Sequence, residues 1–60
     1  MNLFNDNELY HKQSVANKLN IHLTTVNRLM KSGKLRYLKL GGAVRFNGET
    51  LNAYLADMER

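Results

Sequence analysis

The apolar residues change their spacing at Gly33, and this change constrains the fold more than any other feature of the sequence. Before Gly33 they recur at helical intervals, whereas the stretch RYLKLGGAVRFN after it alternates apolar and polar residues. Alternation on either side of Gly41-Gly42 predicts a β-hairpin. A chain of 60 residues without cysteine has a small core and no disulfide or thiolate metal site to support it. The sequence therefore predicts one domain in which helices precede a short hairpin.

The first predicted helix spans residues 11–19. Its apolar positions Val15, Ala16 and Leu19 fall on one stripe at helical spacing. Asn20 follows, and asparagine tolerates the left-handed conformation that ends many helices. The very short connection after it leads into a second helix, and two helices joined in this way form a helix-turn-helix pattern.

The second predicted helix ends at Gly33, a residue that favours the left-handed turn closing a helix. Val26, Leu29 and Met30 form its inward arc. Leu23 is expected to pack beside them, and its alternative role is an apolar contact with a partner. The opposite arc is polar and basic: Thr24, Asn27, Arg28 and Lys31, with Thr25 on the flank. This outer arc is either an ordinary solvated surface or the surface that contacts a partner.

The register of the hairpin is predicted from the separation of apolar and basic side chains. A two-residue Gly41-Gly42 loop would place Leu38 opposite Arg45 and mix core and charge on one face. A loop of three residues, 41–43, instead pairs apolar residues with each other: Leu40 with Val44 and Leu38 with Phe46. The basic residues Lys39 and Arg45 then share the outer face. We therefore expect the three-residue loop, with a glycine at positive φ.

A last helix is predicted after the hairpin. Asn47 is a suitable N-cap for it. Its buried stripe, spaced i, i+3, i+4 and i+7, consists of Leu51, Tyr54, Leu55 and Met58. At the other end of the chain, residues 1–8 lack a periodic pattern and are expected to form a flexible lead-in. The folded domain is predicted to span residues 9–60, with Leu9 and Tyr10 making the first core contacts.

Cations and carboxylates are segregated along the chain. The net charge is +4, and between His11 and Phe46 there are eight cations and no carboxylate. The cations are Lys12, Lys18, Arg28, Lys31, Lys34, Arg36, Lys39 and Arg45. Because a block of one sign repels itself, it is tolerated best when the partner is a polyanion. Nucleic acid is the favoured partner; a solvated basic surface is the alternative, and an anionic membrane is disfavoured because every apolar face is needed for the core.

The order helix, turn, helix, hairpin, helix resembles a known family. The stretches that carry the resemblance are NIHLTTVNRLMKSGKL, LKLGGAVRF and ETLNAYL, between Tyr10 and Leu55. They are similar to the excisionase-type, MerR-like winged helix-turn-helix DNA-binding domains. Leu23 and Asn27 stand where that family more often has arginine and tyrosine. The resemblance implies a mainly α fold with a small β-hairpin as the wing, and binding to double-stranded DNA.

The outer arc of the second helix is then expected to enter the major groove. Arg28 can make bidentate contacts to guanine and Asn27 to adenine, while threonines contact thymine methyl groups or phosphates. The predicted contacts on this helix are Thr24, Thr25, Asn27, Arg28 and Lys31. On the wing they are Lys39 and Arg45, whose alternative role is to keep the strand edges soluble. Contacts to the DNA backbone are also expected, against a solvated alternative, from Lys12, Lys34 and Arg36.

The resemblance also implies a biological role. It predicts an excisionase, or recombination directionality factor, that binds and bends attachment-site DNA to assist a site-specific integrase. Such a protein is expected to be monomeric in solution, to bind DNA repeats cooperatively, and to act on the nucleoid of a bacterium or on phage DNA. The alternative is a small phage- or plasmid-type transcriptional regulator with the same DNA-binding surface. A protein–protein adaptor is a third hypothesis, which leaves the acid-free block unexplained.

The sequence argues against catalysis, metal binding and membrane insertion. His11 and His22 lack the i, i+4 spacing and the nearby cysteine or acidic ligands of a metal site. No general base accompanies a serine or tyrosine at a recognisable spacing, so neither catalysis nor a cofactor is expected. No apolar run approaches the roughly 20 residues of a membrane span. Because the acidic, asparagine-rich start also differs from a signal peptide, the expected location is the cytoplasm.

Overall fold

The computed structural model describes residues 3–58, which form three helices and a small antiparallel sheet. In chain order the elements are β1 (Leu9–Tyr10), α1 (Lys12–Leu19), α2 (Leu23–Lys31), β2 (Leu38–Leu40), β3 (Ala43–Asn47) and α3 (Gly48–Met58). The strand order is β1-β3-β2, so β3 is central. The predicted mainly α, winged helix-turn-helix fold is confirmed. The sequence does not predict β1, because a strand of two residues is too short to show a period.

Helix α1 begins and ends where the local sequence places it. Val15 and Ala16 are buried and Leu19 packs against the same core, which confirms the predicted stripe. Asn20 has φ 57° and ψ 45°, the left-handed conformation expected of it. The N–H of Ile21 then donates to the carbonyl oxygen of Ala16 at 3.0 Å. The chain therefore turns at once towards α2, as a helix-turn-helix requires.

Helix α2 ends in a Schellman motif centred on Gly33, which confirms the predicted stop. Gly33 has φ 81°, and its N–H donates to the carbonyl oxygen of Met30 at 3.2 Å. The N–H of Lys34 donates to the carbonyl oxygen of Leu29 at 3.1 Å, which completes the motif. The turn brings Leu35 back against the core, where it is buried. The sequence pattern does not indicate that Leu35 is a core residue, because Leu35 lies between the two periodic segments.

The core lies between the helices and the inner face of the sheet. Its buried apolar residues are Phe4, Val15, Ala16, Val26, Leu35, Phe46 and Leu51. Phe4 is 2% exposed, and its ring meets that of Tyr10 edge-on at a centroid distance of 5.0 Å. The expectation that Leu9 and Tyr10 make the first core contacts is therefore wrong: Phe4 precedes them, and of the two only Tyr10 packs against the core, while Leu9 is 47% exposed. Residues 1 and 2 lie outside the described part of the chain. An isolated phenylalanine gives no periodic signal, yet a domain this small needs its apolar area.

The segment before β1 is joined directly to the start of α3. The N–H of Phe4 donates to Oδ1 of Asn52 at 3.1 Å, and Nδ2 of Asn52 donates to the carbonyl oxygen of Phe4 at 2.8 Å. The N–H of Gly48 donates to the carbonyl oxygen of Glu8 at 2.9 Å. A methyl group on Gly48 would overlap the carbonyl oxygen of Asn5, so this close approach requires glycine. The folded unit thus begins before the predicted boundary at residue 9.

Helix α3 is capped as predicted but buries a shorter stripe. The N–H of Glu49 donates to Oδ1 of Asn47 at 2.8 Å, which confirms the N-cap. The buried or partly buried members of the stripe are Leu51, Tyr54 and Leu55. Met58 is 57% exposed, so its predicted burial is wrong. It lies at the last position of α3, one turn beyond the residues that pack against the core.

The hairpin turns through two residues, so the predicted three-residue loop is wrong. The observed pairs are Leu38 with Arg45, Lys39 with Val44 and Leu40 with Ala43. Of Gly41 and Gly42, only Gly41 has positive φ, at 63°, which is the pattern of a type II′ turn. Leu38 and Leu40 consequently lie on the outer face of the sheet, where they are 42% and 51% exposed. The apolar pairs expected from the sequence do not form.

The register is determined by the contacts of Phe46, which is fully buried. Strand β1 places Tyr10 opposite it on one side. On the other side the Tyr37 ring packs against it, with the two ring centroids 6.4 Å apart. The apolar neighbour of Phe46 across the hairpin is therefore Tyr37 rather than Leu38. The prediction weighed only the pairs within residues 38–46 and so did not consider this partner.

Candidate nucleic-acid interface

Helix α2 presents the predicted polar and basic face to solvent. The exposed residues on this face are Thr24, Asn27, Arg28 and Lys31, while Thr25 is partly buried on the flank. Val26, on the opposite side, is fully buried, and Leu29 and Met30 pack against the core beside it. The helical period alone therefore placed these side chains correctly. We refer to Thr24, Asn27, Arg28 and Lys31 together as the α2 outer face.

A shallow hollow of about 490 Å³ lies beside the α2 outer face, towards the wing. It is lined by Thr24, Asn27, Arg28, Met30, Lys31 and Tyr37. Tyr37, just before β2, is 45% exposed and supplies the wall opposite the helix. Tyr37 is not among the contacts predicted from the sequence. The available signal was an aromatic residue within the acid-free block, which both packs and offers a hydroxyl to a polar partner.

The start of α1 is connected to the middle of α2 by one side-chain hydrogen bond. The Lys12 ammonium donates to Oδ1 of Asn27 at 3.0 Å. Lys12 is partly buried and Asn27 is exposed, so the contact lies at the surface, at the edge of the α2 outer face. Lys12 was predicted to contact the DNA backbone. The structure also brings it into contact with Asn27, one of the candidate base-contacting residues.

A second hollow separates α2 from the hairpin. It is lined by His11, Lys12, Gln13, Leu23, Gly42, Val44 and Arg45. Leu23 is 39% exposed and is not among the residues that pack against the core, so its predicted core position is wrong. The physical reason is that Leu23 is the first residue of α2 and projects towards this hollow rather than towards Val26.

The two cations of the wing do not share a face. Lys39 pairs with Val44 and Leu38 with Arg45, which places Lys39 and Arg45 on opposite sides of the sheet. Alternation along the strand puts Lys39 on the side of Tyr37. Nη1 of Arg45 donates to the carbonyl oxygen of Val44 at 2.8 Å, so this guanidinium is partly engaged within the wing. The predicted common basic face is wrong because it depended on the three-residue loop.

Lys34 and Arg36 lie apart from the α2 outer face. Both are exposed and border a hollow whose other wall is formed by α3, including Thr50, Tyr54 and Asp57. Neither lines the two hollows beside α2. Their predicted contact with the DNA backbone therefore requires a duplex that extends past the C-terminal end of α2.

The two histidines occupy equivalent positions, each immediately before a helix. His11 is the N-cap of α1 and His22 that of α2, and neither side chain forms a capping hydrogen bond. Within residues 3–58, no group of three or more His, Asp or Glu side chains is arranged to hold a metal ion. None of the helices in this part of the chain is long and apolar enough to cross a membrane.

A comparison with protein families agrees with this geometry. The family model described as a helix-turn-helix domain matches residues 7–58, which is most of the chain. The chain belongs to the helix-turn-helix domain family. The match includes both helices of the motif, the wing and α3. Membership of this family supports sequence-specific DNA binding, and it makes the α2 outer face of this helix-turn-helix domain the candidate recognition surface.

One relative has been found among curated proteins. An uncharacterised protein of Pasteurella multocida strain Pm70 is 44% identical over 32 residues, which cover 53% of this chain and 49% of that protein. The aligned part thus spans about half the length of the relative. No solved structure matches the helix-turn-helix domain significantly.

Proposed function

We propose that this helix-turn-helix domain binds specific duplex DNA by placing α2 in the major groove. The observation that carries the proposal is the α2 outer face, which is polar, exposed and free of carboxylates. An α-helix fits the major groove, and residues in its first half contact base edges. In that arrangement Thr24, Asn27 and Arg28 approach the bases, with Thr25 beside them, and Lys31 approaches phosphate.

The wing and α1 extend the same surface. Tyr37 lines the hollow beside α2, and Lys39 lies on the same face of the hairpin as Tyr37. We expect both to meet the DNA backbone next to the groove. Because the Arg45 guanidinium already donates to the carbonyl oxygen of Val44, we assign it a smaller share of the binding energy. No carboxylate lies between His11 and Phe46 in the sequence, so α1, α2 and β2 carry no acidic side chain that would repel phosphate.

The role we propose is that of an excisionase, which bends attachment-site DNA so that an integrase excises a mobile element. It is supported by the resemblance of the two-helix and wing segments to excisionase-type domains. Binding energy would be used to deform DNA rather than for chemistry. We expect monomers that bind cooperatively to DNA repeats, in the cytoplasm of a bacterium. The alternative is a small transcriptional regulator that uses the same surface.

The DNA-binding proposal is tested by the salt dependence of affinity. A fluorescent duplex selected by the protein from a random pool is titrated with protein between 50 and 200 mM salt. If about six phosphates are neutralised, affinity falls on the order of 10³-fold over this range. The Lys18→Ala variant is the control for the loss of one positive charge outside the α2 outer face. The Lys18 ammonium lies 5.9 Å from the centre of the Phe4 ring. An affinity independent of salt would contradict the proposal.

The biological role requires a separate experiment. Recombination between attachment sites is measured in vitro with an integrase encoded beside this protein, in the presence and absence of the protein. Stimulation of excision, together with a bend in the bound attachment-site duplex, supports the excisionase. Specific binding to a promoter without any effect on excision supports the transcriptional regulator. In either role the protein would recognise DNA through the α2 outer face.

A further inference from the structure

We infer that Lys12 orients the Asn27 amide so that the two side chains together present only hydrogen-bond donors, and that this pair selects guanine. The inference rests on the proposed DNA binding and adds the base specificity of one position. It concerns a lysine of α1 that acts through a residue of α2, so Lys12 is a positioning residue. The contact that supports it is the 3.0 Å hydrogen bond from Lys12 Nζ to Asn27 Oδ1.

The chemistry of the two groups determines which way the amide faces. A lysine ammonium has three donors and no acceptor, so the only atom of the Asn27 amide that it can bind is Oδ1. Nδ2 lies on the other branch of the amide and carries two N–H donors that Lys12 cannot satisfy. The amide orientation therefore follows from the partner, and it directs the donors of Asn27 away from α1.

The surroundings preserve this arrangement. A carboxylate near Lys12 would compete for its ammonium group, but residues 12–45 contain none. Asn27 is exposed and also lines the hollow shared with Arg28 and Tyr37, where its free N–H groups meet solvent or a ligand. Lys12 is only partly exposed, which limits the number of conformations that it can adopt. The pair therefore enters a DNA complex already oriented.

This orientation changes the base that Asn27 is expected to contact. Bidentate binding to adenine needs one donor and one acceptor, because adenine presents the N7 acceptor and the N6 amino donor in the major groove. In this protein one lone pair of Oδ1 is engaged by Lys12, and the adjacent ammonium repels the positively polarised N6 amino group of adenine. The groups left to face a base are the donors of Nδ2 and the remaining donors of Lys12. Guanine presents two acceptors, N7 and O6, and no donor on that edge. A donor-only pair complements guanine, and the adenine preference expected from Asn27 alone no longer follows.

The first experiment uses the wild-type protein and modified DNA. The duplex is one that the wild-type protein selects from a random pool. The base pair tested is the one at which the Asn27→Ala variant no longer prefers a particular base. Replacing guanine there by 7-deazaguanine, which lacks N7, is expected to weaken binding roughly fivefold or more. Inosine is the control, because it retains N7 and O6 and lacks only the minor-groove amino group, and it should leave affinity unchanged. A preference for adenine at this position would overturn the inference.

The second experiment separates positioning from a simple charge effect. Affinities of Lys12→Ala, Asn27→Ala and the double variant are measured on the selected duplex and on a mixed-sequence duplex of equal length. We expect Lys12→Ala to lose preference at the same base pair as Asn27→Ala, with a coupling of several-fold between the two substitutions. Lys12→Arg, which keeps a donor for Oδ1, should restore the preference. Lys18→Ala, which removes a charge from the same helix, should not alter it.

A backbone contact by Lys12 would give a different result. Lys12→Ala would then weaken binding equally on both duplexes, lower the slope of log affinity against log salt by about 0.9, and act independently of Asn27→Ala. That result overturns the inference and leaves the proposed DNA binding intact. If the wild-type protein bound no duplex at all, the proposed function itself would fail. Melting curves of each variant establish that it is folded before its affinity is interpreted.

Reversing the chemistry of the partner gives the most specific test. The carboxylate of a Lys12→Glu variant only accepts hydrogen bonds, so it would bind Nδ2 and turn Oδ1 outward. Selection from the random pool should then move the preference at this one base pair from guanine to a base with an amino donor, cytosine or adenine. An unchanged guanine preference in Lys12→Glu would show that Lys12 does not orient Asn27.

Discussion

The α2 outer face and the wing lie side by side, yet only the first was placed correctly from its sequence. Helix α2 fixes the direction of its side chains through its own period and its own Schellman motif, both of which depend on residues 22–35. The wing has an equally clear alternating pattern. Its faces, however, depend on which residue lies opposite Phe46, and that is decided by Tyr10 and Tyr37 outside the pattern.

The difference follows from the two periods. A small error in a helical period moves a side chain around the helix by a fraction of a turn, whereas a slip of one residue in a strand moves it to the other face. The two-residue turn at Gly41-Gly42 is such a slip relative to the predicted loop. It places Leu38 and Leu40 outside and separates Lys39 from Arg45. The set of side chains that α2 exposes is thus determined by its local sequence, whereas the charge distribution of the wing depends on tertiary contacts.

The largest expected effect distinguishes the inner from the outer face of the wing. Phe46→Ala removes a fully buried aromatic ring and should destabilise the domain by about 3–5 kcal/mol. Because a domain of this size has only a few kcal/mol of net stability, most of the variant should be unfolded at 25 °C. Circular dichroism during urea and thermal unfolding measures both the loss of stability and the helix content that remains.

Leu40→Ala is the matched control for the register. Leu40 is 51% exposed on the outer face, so the observed pairing predicts a change in stability below about 1 kcal/mol. A three-residue loop would bury Leu40 against Val44, and the same substitution would then cost about 2–5 kcal/mol. A large destabilisation of Leu40→Ala would therefore reinstate the register expected from the sequence.

The next effect concerns the α2 outer face. Arg28→Ala should weaken binding to the selected duplex by about 1–3 kcal/mol and relax the preference at one base pair, because the guanidinium fork is lost. Arg28→Lys is the informative control, since it keeps the charge but not the bidentate geometry. It should retain the salt dependence and lose the preference. If Arg28→Ala weakened all duplexes equally, Arg28 would be a phosphate contact and the predicted base contact would be wrong.

The fold was largely predictable because its helices carry their own signals. The stripe of α1, the left-handed Asn20, the stop at Gly33 and the Asn47 cap each depend on a few neighbouring residues, and each is observed. The misplaced positions depend on distant contacts instead. Phe4 is buried by Tyr10 and α3, and no local pattern in the first residues indicates this.

The candidate site was predictable to the same extent. The exposure of the α2 outer face follows from one helical wheel, and the structure agrees with it. The hydrogen bond between Lys12 and Asn27 joins residues that are 15 positions apart, so only the packing of α1 on α2 reveals it. Tyr37 likewise joins the site because the register of the hairpin turns it towards α2. The assignment of individual DNA contacts stays a prediction.

The smallest expected effect compares the two cations of the wing. Lys39 is exposed on the face of the sheet that carries Tyr37, whereas Arg45 lies on the opposite face and its guanidinium donates to the carbonyl oxygen of Val44. Lys39→Ala should therefore lower the slope of log affinity against log salt by about 0.9, the contribution of one phosphate, with no change in base preference. Arg45→Ala should lower it less. The slopes are measured on the selected duplex and on a mixed-sequence duplex of equal length, with Lys18→Ala as the control for lost charge. If Lys39→Ala and Arg45→Ala lowered the slope equally, DNA would contact both faces of the wing, as when the tip of the hairpin enters a groove. The two cations would then contribute equally although they lie on opposite faces.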